Sequence, residues 1–250
     1  MDVSRSSATG TSTERNRAGA RSPSRRAILG AGAAGVGGVA VAAFDPLVAY
    51  AAAPATRKAL KQYFSILATG EALFTTFYAL AARHRRRLGL CGADLNGVKA
   101  IAAEEAIHLR FALSQGGIPA TQKFSFPHGE ATFRDRHLFI ATQQLAEDLT
   151  NGALNAWIKD MASKGHVRLA ELGGQLQQVE GGHRVFGRVL QGAEPYPNWA
   201  FGPVVLDSFL QVPQAVAAAG FLSPRPGNDF PFTPFPPRFP GVVNTTPGHL

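Results

Sequence analysis

The chain has 250 residues and a mass of 26.4 kDa, which suits one medium domain or two small ones. Hydrophobic residues make up 45% of it, enough for a core, so a wholly disordered chain is excluded. The single cysteine excludes an intramolecular disulfide framework and any cysteine-rich zinc or iron–sulfur site. The net charge of +8 raises the question of a nucleic-acid or membrane partner, which depends on where the charges lie.

Residues 1–53 have the pattern of an export signal. A Ser/Thr/Arg-rich start leads to a paired arginine, Arg25-Arg26, then to a short Ala/Gly/Val run and to small residues that allow cleavage after Ala51 or Ala53. The paired arginines and the weakly hydrophobic run are typical of the twin-arginine (Tat) type. We therefore predict that residues 24–29 engage the Tat translocation machinery and that the cleaved chain has no stable membrane span. A retained membrane anchor is the alternative.

Export places the mature protein in the periplasm, the cell envelope or the extracellular space. It also changes the charge argument, because residues 1–53 hold six arginines and three acids and the remainder has a net charge of +5. The one dense basic cluster, residues 83–87, follows a helix-like stretch, where cations interact favourably with the helix dipole. We therefore expect no nucleic-acid partner.

Apolar residues at helical spacing predict four helices, and no sustained strand alternation occurs. Their expected ranges are about 56–87, 94–114, 133–163 and 166–190. The sequence therefore predicts an all-α fold, a four-helix bundle over residues 54–192 with a long crossover between helices 2 and 3.

The fourth predicted helix is the weakest of the set. It has glycine pairs at 173–174 and 181–182, each glycine costing about 1 kcal/mol against alanine, so packing must stabilise it. After it, the composition changes, and 12 of the 17 prolines fall in 195–250. We expect residues 193–250 to form an irregular Pro-rich extension that is packed on the bundle or partly disordered.

Two of the predicted helices carry the same pair of residue types, Glu-x-x-His. The pairs are Glu105 with His108 and Glu180 with His183. Residues three apart share a helix face, so each pair can aim both side chains at one point. Glu104 falls on a different face from Glu105, and we expect it to contact solvent.

The other two predicted helices each place a glutamate on the apolar face, Glu71 and Glu147. The chain thus repeats the order Glu, then Glu-x-x-His, with Glu-to-Glu intervals of 34 and 33 residues. Two such helix pairs, related by a pseudo-two-fold axis, would bring the side chains together inside the bundle, as in di-iron and di-manganese carboxylate proteins. The predicted metal ligands are Glu71, Glu105, His108, Glu147, Glu180 and His183.

The chemistry of a dinuclear site requires these residue types. Carboxylates can bridge two hard cations, and neutral imidazole completes each coordination shell. Buried acids without a cation would each cost several kcal/mol. The alternative is a polar core that is only hydrogen-bonded.

These elements resemble the bacterial secreted ferritin-like domain proteins, which are related to plant desiccation-related proteins. The resemblance covers about 60–205, and the similar stretches are 70–78, 104–108, 124–126, 145–148, 179–183 and 197–201. It implies a ferritin-like four-helix bundle with metal on the same six residues. The chain departs from the family at Phe74, where many relatives have a second acid, and at Gly181-Gly182, where relatives often have Ala or Arg.

The site pattern and the resemblance favour a dinuclear centre of two Fe or two Mn ions with oxidase or peroxide-handling activity. Tyr78, one or two turns from Glu71, is either a core residue or a redox-active neighbour of the metals. A non-catalytic envelope or stress-related protein that retains the ferritin-like fold is the alternative. The Pro-rich extension and the export signal disfavour an iron-storage cage, and a homodimer is compatible with the sequence.

Overall fold

The structure is a computed structural model that describes residues 54–196 and 198–248. The predicted export signal, residues 1–53, lies outside the described residues. The described part is mostly helical, which confirms the all-α prediction. Its α-helices are α1 Pro54–Arg83, α2 Gly92–Ser114, α3 Arg136–Ser163, α4 Val167–Leu190 and α5 Val212–Ala218. Short 3-10 helices occupy Gly129–Phe133 and Phe209–Gln211, and the strands are β1 Lys123–Phe124 and β2 Phe230–Pro231.

Two helix boundaries differ from the sequence expectation, each for a local reason. α1 ends at Arg83, and the next residues form turns that lead to Gly89, whose φ of 62° suits glycine. α3 begins at Arg136 because Asp135 caps it, accepting hydrogen bonds from the backbone N–H groups of His137 and Leu138 at 2.7 and 3.1 Å. The residues expected to begin α3 are instead the end of a separate 3-10 helix, Gly129–Phe133, and the turn that leads to Asp135.

The long helices pack in two pairs, α1 along α2 and α3 along α4. Residues 164–166 join α3 to α4, and a link this short requires the two helices to be antiparallel. The connection between α2 and α3 is long, residues 115–135, as the sequence predicts. The helices enclose one hydrophobic core, and its largest fully buried side chains include Trp157, Tyr78, Phe77, Phe139 and Met161.

The glycines of α4 differ in their surroundings. A Cβ added at Gly173 would collide with the indole of Trp157 and with Ile158, whereas a Cβ at Gly174 would meet no atom within 4 Å. The Trp157 Nε1–H donates to the Leu169 carbonyl of α4 at 2.6 Å, which fixes the ring against this helix. At Gly173, therefore, α4 approaches α3 so closely that no side chain fits. Gly174 has no such neighbour.

The C-terminal segment is attached to the helices through a buried acid of α3. The Asp160 carboxylate accepts hydrogen bonds from the Tyr63 hydroxyl at 3.1 Å, the Ser208 hydroxyl at 2.7 Å and the Phe209 backbone N–H at 3.0 Å. The Phe209 ring stacks on Tyr63 at a centroid distance of 5.9 Å. These contacts position the 3-10 helix and α5 that follows it.

A second attachment joins the C-terminal segment to the crossover between α2 and α3. β1 pairs antiparallel with β2, with Phe124 opposite Phe230. Asn228 accepts a hydrogen bond from the Phe126 backbone N–H and donates one to the Phe126 carbonyl, both at 2.9 Å. Phe221, only 2% exposed, packs its ring edge-on against the ring of Phe126.

By length and composition, one helical stretch of the described residues, Arg57–Arg83 of α1, is long and apolar enough to cross a membrane. In this structure 83% of its apolar window is buried. That burial is typical of the central helix of a packed core.

The neighbouring glycines of α4 provide a matched test of this packing. We expect Gly173→Ala to lower the free energy of unfolding by about 1–3 kcal/mol, because the new methyl group overpacks against Trp157. Gly174→Ala should leave it unchanged or raise it by up to about 1 kcal/mol, because alanine is the better helix former. Urea denaturation followed by circular dichroism measures both, and equal effects of the two substitutions would contradict the close approach.

Candidate metal centre

The structure brings all six sequence-predicted ligands together in the interior of the long helices. Their ligand atoms form two overlapping groups, within each of which the atoms lie within 4.8 Å of one another. One group contains Glu71 and His108, and the other contains Glu147 and His183. Glu105 and Glu180 belong to both groups.

The two shared glutamates each direct one oxygen toward each histidine. Glu180 Oε1 lies 3.3 Å from His108 Nδ1, and its Oε2 lies 2.9 Å from His183 Nδ1. Glu105 Oε2 lies 3.7 Å from His108 Nδ1, and its Oε1 lies 3.2 Å from His183 Nδ1. This is the arrangement that a carboxylate needs to bridge two ions.

The remaining glutamates flank the two groups. Glu71 Oε2 lies 3.6 Å from His108 Nδ1. On the opposite side, Glu147 accepts a hydrogen bond from the Tyr78 hydroxyl. Each group therefore has one histidine and one glutamate of its own, in addition to the shared pair.

Several polar atoms of the centre are buried without a hydrogen-bond partner. The four glutamates are between 0% and 4% exposed. The unpartnered atoms of the centre are Glu71 Oε2, both Glu105 carboxylate oxygens, Glu147 Oε2 and His108 Nδ1. Unpaired buried oxygens and an imidazole nitrogen are costly without a partner, and they are suitable donors for divalent cations. The residues present therefore fit a metal centre.

Glu104 corrects one sequence expectation, because it does not simply face solvent. Its carboxylate lies 2.8 Å from His183 Nε2, and its side chain is 29% exposed. A carboxylate on Nε2 keeps the proton there and leaves Nδ1 free as the ligand atom. The pseudo-symmetric position before Glu180 is Val179, which has no such group. The sequence does contain a sign of this contact, since an acid directly precedes one Glu-x-x-His pair and not the other.

Tyr78 and Gln143 support the second group. Tyr78 is completely buried, and its hydroxyl accepts a hydrogen bond from Gln143 Nε2 at 3.0 Å while donating to Glu147. Gln143 Nε2 also donates to the His183 carbonyl at 2.8 Å. Burial, together with the negative charge of Glu147, raises the pKa of the Tyr78 phenol well above its ordinary value. The phenol therefore stays protonated and donates to the carboxylate.

Without a cation, the charges of the centre shift its pKa values strongly. Burial raises the pKa of Glu71 and of Glu147 well above the ordinary value. Burial alone would lower the pKa of His108 and His183, but the surrounding carboxylates raise both well above the ordinary value. Burial alone would raise the pKa of Glu180, but the charges of His183 and His108 and the hydrogen bond with His183 lower it. A metal ion must displace protons from these imidazoles, since histidine coordinates in its neutral form.

A cavity of about 120 Å³ lies beside the His108 end of the centre. His108 and Glu104 of α2 line it together with Leu176 of α4, and residues 242–247 of the C-terminal segment form another wall. Gln175 of α4 holds this segment through two hydrogen bonds with the Gly248 backbone, at 3.0 and 3.1 Å. The cavity could hold a few water molecules or another small polar molecule next to the centre.

The other histidines that the structure describes take no part in either group. They are His84, His128, His137 and His166, and His249 lies outside the described residues. Comparison of the chain with family models, with curated proteins and with solved structures found no match. The geometry of the centre is therefore the basis on which a function can be proposed.

Substitution of Glu104 tests its role in orienting His183. We expect Glu104→Ala to lower metal affinity by about 10–100-fold, because His183 loses the acceptor that fixes its tautomer. Glu104→Gln keeps an acceptor oxygen and should retain most of the affinity. Competition with a chromophoric chelator measures both variants, and an unchanged affinity in Glu104→Ala would contradict this role.

Proposed function

We propose that this chain is an exported ferritin-like protein whose four-helix bundle holds a dinuclear centre of two Fe or two Mn ions, with redox activity toward dioxygen or peroxide. The observation that carries the proposal is the placement of the two oxygens of Glu105 and of Glu180 toward different histidines. A single ion would use one group of ligands. Two overlapping groups with shared carboxylates match two ions.

The charge of the ligand set supports the same number of ions. Four buried carboxylates, with neutral imidazoles, balance the charge of two divalent cations. The donors are oxygen and imidazole nitrogen without thiolate, a set that suits iron and manganese. When bound, such ions would supply electron transfer to or from a small oxidant.

The chain's own residues would hold and orient this centre. Glu105 and Glu180 would bridge the ions, with Glu71 and His108 on one ion and Glu147 and His183 on the other. Glu104 would orient the His183 imidazole, and Tyr78 would hold Glu147 through its hydroxyl proton.

Export through the Tat machinery, by way of residues 24–29, completes the proposal. The Tat route carries folded proteins, so the metal would be loaded in the cytoplasm before the chain reaches the periplasm, the envelope or the extracellular space. A non-catalytic envelope or stress-related protein with the same fold is the competing function. Turnover of peroxide or dioxygen by the metal-loaded protein would contradict this non-catalytic function.

Single substitutions test the sharing of ligands. Elemental analysis of the purified mature protein should find two Fe or Mn ions per chain. We expect Glu71→Ala to retain one ion, because Glu71 serves only one ligand group, and Glu180→Ala to lose both, because Glu180 serves both groups.

The control for these substitutions is Glu194→Ala, which removes an exposed acid and should keep two ions. Circular dichroism verifies that every variant is folded. A wild-type protein without stoichiometric Fe or Mn would contradict the proposal, as would a folded Glu180→Ala protein that keeps two ions.

A further inference from the structure

A small apolar cavity adjoins the centre on the side of Glu71, away from the histidines. It has a volume of about 50 Å³ and lies between α1 and α3. Glu71 contributes to its wall, and the rest of the lining is almost entirely apolar, with Phe74, Leu154, Phe209 and Phe221 among its residues. One carboxylate of the centre thus borders an apolar space.

A larger cavity of about 240 Å³ lies next to this one, between α1 and α5. Gly70, Leu73 and Val216 line both cavities, so the two spaces share a wall along α1. The residues at its outer side, Gln62 and Pro213, are exposed. The larger cavity therefore opens toward solvent, and its wall includes Gly70, the residue next to Glu71.

Gly70 leaves room in this wall. A Cβ added at Gly70 would meet no atom within 4 Å, although the residue directly precedes the buried Glu71. A glycine in a helix interior is less favourable than alanine. Here it leaves room at the wall that the two cavities share.

The two hydroxyl groups that line the larger cavity already have partners. The Ser65 hydroxyl oxygen accepts a hydrogen bond from the Ile118 backbone N–H at 3.0 Å, and the Thr69 hydroxyl oxygen accepts one from the Ala120 N–H at 2.9 Å. A sugar or an anion would find few groups to bind. An apolar molecule would need none, since burial of its surface supplies the driving force.

The volume sets the size of the molecule. An engineered apolar cavity of about 150 Å³ binds benzene in another protein. The larger cavity here exceeds that volume, at about 240 Å³. A benzene ring with a short alkyl chain is therefore of suitable size.

We propose that the space between α1 and α5 binds a small apolar organic molecule, of the size of an alkylbenzene, and holds it beside the Glu71 end of the metal centre. The binding itself depends only on the pocket. The further statement, that this molecule belongs to the substrate class of the centre, rests on the function proposed above. An oxidant would approach through the separate cavity beside His108.

The test uses propylbenzene as the probe and a pair of glycine substitutions. Isothermal titration calorimetry of the purified mature protein should show saturable binding. Gly70→Leu places a side chain at the wall that the two cavities share, and it should weaken binding at least about tenfold, equivalent to about 1.4 kcal/mol. Gly174→Leu makes the same chemical change at an exposed position of α4 and should bind as the wild type does.

Two results would contradict the proposed pocket. One is that the wild type does not bind propylbenzene, and the other is that Gly70→Leu binds it as tightly as the wild type does. If light scattering instead finds a dimer that Gly70→Leu dissociates, the occupant is a second copy of the chain and the proposal fails.

A separate measurement tests whether the bound molecule lies beside the metal centre. Protons of bound propylbenzene should relax faster in Mn²⁺-loaded protein than in Zn²⁺-loaded protein, and equal relaxation would place the molecule elsewhere. Metal analysis of the purified wild-type protein distinguishes the two proposals. If the protein binds propylbenzene but contains no stoichiometric Fe or Mn, the pocket stands and the proposed function fails. If it contains the metal but does not bind propylbenzene, the pocket fails and the proposed function stands.

Discussion

The mutual repulsion of four buried carboxylates is the constraint on which this structure depends. Glu71, Glu105, Glu147 and Glu180 come from four helices and are all nearly inaccessible to water. Without cations, burial raises the pKa values of Glu71 and Glu147, and the surrounding carboxylates raise those of the two histidines against the effect of burial, so that protons offset part of the charge. Two divalent ions would replace those protons and connect the helix pair α1–α2 to the pair α3–α4.

The two halves of the centre have similar ligands and different surroundings. His183 and Glu147 are held by Glu104 and by the Tyr78 hydroxyl. In the part of the chain that the structure describes, Val179 stands where a counterpart of Glu104 would be. Two cavities adjoin this other half, one at Glu71 and one at His108, and the second also reaches Glu104. The ligand group that contains Glu71 and His108 is therefore the more accessible of the two, and in the proposed function the chemistry would occur there.

The sequence was most informative where periodicity and chemistry coincided. The order Glu, then Glu-x-x-His, located all six residues that the structure brings together, because spacing on a helix fixes which side chains share a face. Glu104 was misjudged, because its contact with His183 depends on how α2 lies against α4. The cavities beside Glu71 were also beyond sequence reasoning, because the C-terminal segment and α5 form their walls. The glycines of α4 appeared only as weak helix formers until the contact of Gly173 with Trp157 was known.

Anomalous X-ray scattering from crystals of the mature protein, recorded at the iron and manganese absorption edges, would locate bound ions of either metal. Two peaks are expected, one near His108 and Glu71 and one near His183 and Glu147, with Glu105 and Glu180 between them. A single peak bound by only one ligand group, or a crystal of folded protein with no peak at the centre, would contradict the proposed dinuclear centre.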